Sequence, residues 1–345
     1  MSKKLFDSTC PVGVTTTGII HGKTSGVINL NGLKYQWAYA LWERMLNNTW
    51  FPKEVDLTAD PNDYKRLLPS EKDFYDKILA QLIFMDGIQT NNTVDNVNPW
   101  ITAPEINMCL VRQAMEEALH SQSYAVMVDS ISINTNEIYE MWRKDSHLFA
   151  KNKHILDIYS EYGRIAESED VAKIYMIVAN QCLEGIYFYS GFAGMYSLAR
   201  NKKMIGSSQM IKFIQRDEVT HLALFANIFK SMKNEFPDLF TKEVMDNVRN
   251  MLISAVEMEI SWGKYITQNG IFGLSPEIIE KFIKFLGNQR AFDLGIDLLY
   301  SEVGFKENEN PLPWFNSFSQ FNNQKTNFFE GNVTNYSKGS VEMDF

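Results

Sequence analysis

The sequence predicts an all-α protein built from long helices around one shared core. From "YQWAYALWERML" (35–46) to about residue 303, apolar residues recur at helical spacing almost throughout. No segment shows the sustained alternation of apolar and polar residues, bounded by hairpin turns, that is typical of strands. The chain has 345 residues, 45% of them hydrophobic, which is enough for a large core. These observations favour one helical domain at residues 31–304.

The two ends of the chain differ from this domain. Residues 1–30 are rich in Thr, Gly and Ser and predict an irregular N-terminal arm, whereas residues 305–345 form an Asn-rich tail. Up to about residue 330 the tail is expected to lie along the domain surface through aromatic side chains: Trp314, Phe315, Phe328 and Phe329. The last fifteen residues suit either a tail that folds on a partner or an unstructured terminus without a role.

Polar or Pro-containing breaks divide the helical region into its elements. They fall near residues 51–62, 93–104, 132–136, 164–170, 201–207, 236–240 and 269–276. The last helix has a clear start signal in "LSPEIIEKFIKFL" (274–286). We expect Ser275 to cap its N-terminus and Pro276 to occupy its first position.

Composition excludes several classes of protein. The formal net charge of −9 argues against a nucleic-acid partner, which would require clustered Lys and Arg. The three cysteines form no CxxC pair, so neither a zinc knuckle nor a disulfide framework is indicated. The start "MSKKLFDSTC" lacks the apolar region of a signal peptide. We therefore expect a reduced, cytoplasmic protein.

The segment 174–199 is long and apolar enough to be mistaken for a membrane span. Asn180, Gln181 and Glu184 lie in its middle, and it lacks the flanks that are typical of a span. A helix that is apolar nearly all round, with one carboxylate at its centre, is better interpreted as buried inside a bundle.

The residues that carry chemistry begin with a repeated Glu-x-x-His pattern, at "EALH" (117–120) and "EVTH" (218–221). At positions i and i+3 of a helix the two side chains point the same way and can hold one ion together. A single copy is commonly a surface pair, but here both copies lie on apolar stripes. Charged groups on an apolar face are tolerated when they are paired or bind a metal.

Two lone acids occupy equally apolar segments: Asp86 within "ILAQLIFMDGIQ" (78–89) and Glu184 in the helix described above. Together with the two Glu-x-x-His pairs they place four acids and two histidines on four helices. Ferritin-like di-metal carboxylate proteins have this arrangement. Mixed oxygen and nitrogen ligands favour iron or manganese. The sequence therefore predicts a ferritin-like helical bundle with a dinuclear metal site in its core.

Tyr124 lies one helical turn beyond His120 and shares the stripe of Glu117. The neighbouring Glu116 is displaced by about 100° around the helix and is not expected to be a ligand.

At this point the sequence resembles a known family, the radical-generating beta subunit of class I ribonucleotide reductase. The resemblance runs from about residue 35 to the C-terminus. It rests on separated motifs in the family's order: "WFPKEVDL" (50–57), "MDGIQ" (85–89), "EEALHSQSY" (116–124), "LEGIYFY" (183–189), "RDEVTH" (216–221), "NPLPWF" (310–315) and "KTNFFE" (325–330).

The resemblance implies a dinuclear iron or manganese site with the following ligands: Asp86, Glu117, His120, Glu184, Glu218 and His221. It implies that O2 and this metal pair produce a stable tyrosyl radical at Tyr124, since members with Phe at this position keep the oxidising equivalent on the metals. Three apolar residues would shield the radical from water: Phe188, Phe192 and Ile214.

The resemblance also implies a route for proton-coupled electron transfer from the metal site through His120, Asp217 and Trp50. The route would end at Tyr336 in the tail, with Glu330 assisting. The assignment of Tyr336 rests on its six-residue spacing from Glu330, because this Asn-rich tail differs from the acidic tails of better-known members. From the residues alone, two interpretations of Asp217 stay open: an outer hydrogen-bond partner of a ligating imidazole, or an exposed charge on its helix. Trp50 fits an ordinary core residue equally well.

A member of this family would form a homodimer and dock its last residues, through Phe345, on a large catalytic subunit that reduces ribonucleotides, by family norm as diphosphates. The absence of a Gly-rich phosphate loop, a redox CxxC and a basic groove in this chain agrees with that division of labour. Two other interpretations stay open. One is a different ferritin-like di-metal oxidase or hydroxylase, and the other is a metal-storage or structural bundle without a radical.

Overall fold

A computed structural model of the chain describes residues 5–10, 18–132 and 134–315. The α-helices of these residues, in chain order, are α1 Gln36–Asn47, α2 Asp60–Arg66, α3 Pro69–Asn91, α4 Pro104–Ile131, α5 Asn136–Tyr139, α6 Met141–Lys144, α7 Ser146–Ile165, α8 Glu169–Cys182, α9 Tyr189–Arg200, α10 Ile205–Glu235, α11 Lys242–Thr267 and α12 Pro276–Asp293. Apart from one isolated bridge between Ile271 and Leu274, these described residues contain no β-structure. The prediction of an all-α fold is confirmed.

Four long helical segments surround the centre of the molecule. They are α3, α4, α10 and the rod formed by α8, a π-helical turn at Leu183–Tyr187, and α9. α3 packs on α4, and α10 packs on α8, α9 and α4. α1 covers α4 and α10, while α7, α11 and α12 cover the outer side of the rod. This is a four-helix core with a second layer of helices around it.

The rod of α8 and α9 is buried along most of its length. Every residue from 177 to 199 is buried, which confirms that this apolar segment lies inside the bundle. The sequence predicts one regular helix here, whereas the structure inserts the π-helical turn around Glu184. Among the described residues, no helix is both long and apolar enough to cross a membrane.

The ends of α12 show one prediction that is confirmed and one that is wrong. Ser275 caps the helix by accepting a hydrogen bond from the Ile278 amide at 3.3 Å, and Pro276 is the first helical residue. The helical pattern was expected to continue to about residue 303, but α12 ends at Asp293. Gly295 adopts a left-handed φ of 68°, a conformation that ends helices and is accessible to glycine at little cost.

Residues before α1 and after α12 pack against the bundle without forming long helices. Ile19 and Ile20 are buried, and so are Leu312 and Phe315. The Phe315 ring lies 4.9 Å from the Phe282 ring of α12, centroid to centroid. The other predicted surface contacts, Phe328 and Phe329, lie outside the described residues, so the division at residues 30 and 304 stays a prediction.

Candidate metal centre

The two Glu-x-x-His pairs face each other from neighbouring helices. Glu117 and His120 lie in the middle of α4, and Glu218 and His221 lie in the middle of α10. All four side chains are fully buried. The i, i+3 spacing places each pair on the inner side of its helix, because the packing of α4 on α10 turns both apolar stripes inward.

The lone acids complete the cluster from the other two segments. Asp86 lies near the C-terminal end of α3, and Glu184 lies in the π-helical turn, where the backbone accommodates one extra residue per turn. Both carboxylates are fully buried. Each of the four inner segments therefore supplies at least one acid to the centre of the bundle, as the sequence predicts.

The six side chains form two overlapping groups of potential metal ligands. One group is Asp86, Glu117, His120 and Glu218, and the other is Glu117, Glu184, Glu218 and His221; within each group the ligand atoms lie within 4.8 Å of one another. Glu117 and Glu218 belong to both groups. Two overlapping ligand groups that share two glutamates would suit a pair of metal ions.

The chemistry of the donor set fits such a pair. Several inward-facing carboxylate oxygens make no hydrogen bond to any described residue: both Asp86 oxygens, Glu117 Oε2, Glu184 Oε2 and Glu218 Oε1. Buried acceptors without donors are costly, and a cation satisfies them. When all four carboxylates are ionised, their four negative charges would be balanced by two divalent cations. Oxygen and imidazole donors without thiolate suit iron or manganese.

The electrostatics of the cluster show how closely its charges interact. Burial and the charge of Glu117 raise the pKa of both Asp86 and Glu184 well above the usual range. Burial alone would lower the pKa of the histidines, but the surrounding carboxylates raise it well above its usual value for His120 and His221. Without a metal, the histidines therefore retain protons that balance the acids. Metal binding would release these protons, because ligating imidazoles must be neutral.

Side-chain amides support the cluster from outside, and sequence analysis missed them. Gln113 Nε2 donates to Glu184 Oε1 at 2.8 Å and to Glu117 Oε1 at 3.3 Å. Gln89 Nε2 also donates to Glu184 Oε1, and its second acceptor is Asn180 Oδ1 at 2.8 Å. The position of Gln113 one helical turn before Glu117 was the only available signal, and such a signal is weak without knowledge of which face is inward.

Tyr124 is fully buried on α4 one turn beyond His120. Its hydroxyl makes no hydrogen bond to a described residue. Burial and the nearby charge of Asp86 raise the pKa of the phenol well above its usual value, so the neutral phenol is strongly favoured. The three predicted shielding residues are also fully buried: Phe188, Phe192 and Ile214. The rings of Phe188 and Phe192 stack with centroids 5.6 Å apart.

The predicted transfer residues near the metal cluster are connected by hydrogen bonds. The Trp50 indole donates to Asp217 Oδ2 at 2.7 Å, and the same oxygen lies 3.2 Å from His120 Nε2. Asp217 is buried, so it is not an exposed helix charge, and Trp50 is buried against Phe213. Tyr336 and Glu330 lie outside the described residues.

Fold and cluster together define the class of this protein: it is a ferritin-like helical protein whose core holds carboxylates and histidines able to bind metal. Comparison with known proteins then identifies the family. The family model "Ribonucleotide reductase, small chain" matches residues 27–311. The chain belongs to this family, and it is thereby the beta subunit of a class I ribonucleotide reductase.

Curated relatives and a solved structure agree with this assignment. The ribonucleoside-diphosphate reductase subunit beta of Treponema pallidum is 40% identical over 344 residues, which cover 99% of this chain and 97% of the relative. The subunit beta of Halalkalibacterium halodurans is 34% identical over 345 residues, covering 99% and 97%. The ribonucleotide reductase R2 subunit from Clostridium botulinum superposes with a TM-score of 0.87 at 40% identity, covering 93% of this chain and 99% of that structure. Membership implies a dinuclear metal site, a homodimer and a large-subunit partner.

Proposed function

We propose that this chain uses a dinuclear iron or manganese site and O2 to form a stable tyrosyl radical at Tyr124. The radical then serves as the oxidant for a large catalytic subunit that reduces ribonucleoside diphosphates. The observation that carries the proposal is the buried Tyr124 phenol. It lies one helical turn from His120, and burial and the charge of Asp86 raise its pKa. Neither a storage bundle nor an oxidase of an organic substrate requires a phenol at this place.

The six clustered side chains would hold the metal pair, with Glu117 and Glu218 available to both positions. The bound pair would supply the oxidising power for the activation of O2. Gln89 and Gln113 keep Glu184 oriented through its Oε1, which leaves Oε2 directed at the cluster. Outer hydrogen bonds of this kind fix ligand geometry.

Oxidation of Tyr124 removes one electron and the phenolic proton. Asp86 is the carboxylate whose charge acts most strongly on this phenol, and in this proposal it would accept that proton. Burial of the ring then protects the radical, because water and reductants in solution do not reach it. Phe188, Phe192 and Ile214 contribute to that dry environment as buried apolar residues.

The oxidising equivalent would leave the site through His120, Asp217 and Trp50. The continuous contacts from imidazole to carboxylate to indole support this order. Beyond Trp50 the route would pass to Tyr336 with help from Glu330, and the last residues through Phe345 would dock on the large subunit. These last steps rest on the family resemblance.

Electron paramagnetic resonance tests the radical directly. Metal-free protein is loaded with iron(II) or with manganese(II) and exposed to O2. We expect an organic-radical signal in the wild type and in Tyr75→Phe, a control at another fully buried tyrosine, and none in Tyr124→Phe. The proposal would be refuted if the wild-type protein, with both metal positions fully occupied, formed no radical with iron and none with manganese.

A further inference from the structure

Two acids outside the ligand set precede the two ligand glutamates: Glu116 precedes Glu117, and Asp217 precedes Glu218. Both are buried, and neither belongs to the groups of potential ligands. Each of them contacts the histidine of the opposite helix. Asp217 on α10 approaches His120 on α4, and Glu116 on α4 approaches His221 on α10. The two contacts therefore run in opposite directions between α4 and α10, and they are related by approximate symmetry.

The crossed contacts orient both imidazoles in the same manner. His221 Nε2 lies 3.0 Å from Glu116 Oε2, as His120 Nε2 lies 3.2 Å from Asp217 Oδ2. The Nδ1 atom of His221 faces the cluster, at 2.9 Å from Glu218 and 3.2 Å from Glu117. A carboxylate that accepts the Nε2 proton keeps the lone pair of a neutral imidazole on Nδ1, where a metal would bind.

The two acids differ in what lies beyond them. Asp217 receives the indole of Trp50, whereas Glu116 Oε1 receives Arg112 Nε at 2.9 Å. Arg112 is itself held in place, since its Nη2 donates to the Met45 carbonyl at 3.2 Å and to Thr49 Oγ1 at 3.1 Å. The hydrogen bonds from His120 thus lead to the oxidisable indole of Trp50. Those from His221 lead to the guanidinium of Arg112, which is neither readily oxidised nor deprotonated.

We propose that Glu116 and Arg112 are positioning residues for His221 and so determine the affinity of the metal position that includes Glu184 and His221. Arg112 fixes the Glu116 carboxylate, and Glu116 fixes the orientation and tautomer of the imidazole. Because the pair ends in a redox-inert cation, the His221 side anchors metal without offering a path for electrons. The proposal rests on the metal site of the proposed function but does not depend on a radical.

The test is a manganese(II) titration of the metal-free protein without O2, measured by isothermal calorimetry. Anomalous scattering from crystals soaked in manganese then locates the bound ions. In Glu116→Gln we expect the affinity of one position to fall about 10–100-fold, as for other outer partners of metal ligands. The anomalous signal should weaken at the His221 position and persist at the His120 position. Arg112→Lys, which keeps the positive charge, should retain more of the affinity than Arg112→Met.

Two matched variants separate positioning from general loss of structure. Asp217→Asn should weaken the position at His120 instead, since the arrangement is crossed. Glu105→Gln alters another buried acid of α4, one that accepts from the Tyr35 amide at 2.9 Å, and should leave both positions unchanged. Equal weakening of both positions in Glu116→Gln, or wild-type affinity at both, would overturn the inference. Failure of the wild type to bind two ions would instead refute the proposed function.

Discussion

At the scale of single residues, burial changes the ionisation of carboxyl groups outside the metal cluster as well as within it. Asp76 shows the general rule away from the metal cluster: burial raises the pKa of its carboxyl to about 6. The Tyr64 hydroxyl donates to it, 2.9 Å from either oxygen. One hydroxyl partner does not replace the lost hydration of a carboxylate, so the neutral form persists to a higher pH than in an exposed carboxyl.

This environment makes the stability contribution of Asp76 dependent on pH. Since its pKa is raised in the folded state, the contribution is fully present below the unfolded value near 3.8 and is lost as the pH rises through about 6. Asp76→Asn cannot ionise, so its stability relative to wild type should rise by about 1–3 kcal/mol between about pH 5 and about pH 7.5. Urea denaturation at the two pH values measures this, with the more exposed Asp73→Asn as control. An unchanged difference would contradict the assignment.

The inward acids of the cluster were predictable from sequence because each interrupts an apolar stripe. Glu117 and His120 share such a stripe with Tyr124, and the spacing alone shows it. Gln89 and Glu116 were not predictable as supporting residues, because their roles depend on which helix lies opposite. For Glu116 the sequence predicts only that it is not a metal ligand. Its contact with His221 depends on how α4 and α10 pack.

At the scale of elements, the π-helical turn requires support that an α-helix does not. Its carbonyl groups are capped by side chains from other helices: Lys151 Nζ and Gln81 Nε2 donate to Tyr187, and Arg290 Nε donates to Gly185. Beyond the turn, Glu259 accepts from the Ser190 amide at 3.0 Å and pairs with Lys151. The buried Lys151–Glu259 pair therefore holds the segment that carries Glu184.

Breaking this pair should destabilise the turn. Lys151→Met removes the cation that pairs with the buried Glu259, at a cost of about 3–5 kcal/mol in the free energy of unfolding. The double variant with Glu259→Gln should recover much of the loss, because Gln retains an acceptor for Ser190. Chemical denaturation measures the stability, and hydrogen exchange of residues 183–190 should accelerate in the single variant. A loss below about 1 kcal/mol with unchanged exchange would show that the pair has no such role.

Helix starts and breaks were predictable because they are encoded by local residues such as Ser275 and Pro276. The π-helical turn was not. Insertion of one residue rotates the following side chains by about 100°, and an amphipathic stripe would reveal the shift. The segment 177–199 is buried on all sides and has no stripe to be displaced. The irregularity is therefore invisible in the apolar pattern.

At the scale of the whole molecule, the bundle keeps its metal cluster in the interior, and the chain after α12 returns to the bundle. Phe315 packs its ring against Tyr189 and Tyr196, with centroids 5.9 and 5.4 Å away. The described part of the chain therefore ends firmly attached to the rod that contains Glu184. The all-α architecture, the central cluster and the contact of Phe315 with the bundle followed from the sequence, whereas the course of residues 294–313 did not, since no periodic pattern specifies it.

Removal of residues 331–345, which lie outside the described residues, separates radical formation from its use. We expect the truncated protein to form the Tyr124 radical at wild-type yield and to lose turnover with the large subunit. Tyr336→Phe in the full chain should also lose turnover but still bind the large subunit, which a pull-down or analytical ultracentrifugation measures. Wild-type turnover of the truncated protein would remove the docking role of the tail.

The π-helical turn also constrains how this gene can change. A deletion of one residue between positions 183 and 187 would convert the rod to a regular α-helix, with better local backbone hydrogen bonding and no interruption of its apolar character. The same deletion would rotate one end of the rod against the other and take either Glu184 or the packing of α9 out of register. A deletion that improves the helix therefore disturbs either a ligand or the packing of the core, so selection for the folded metal site preserves an irregularity that selection for local helix stability alone would erase.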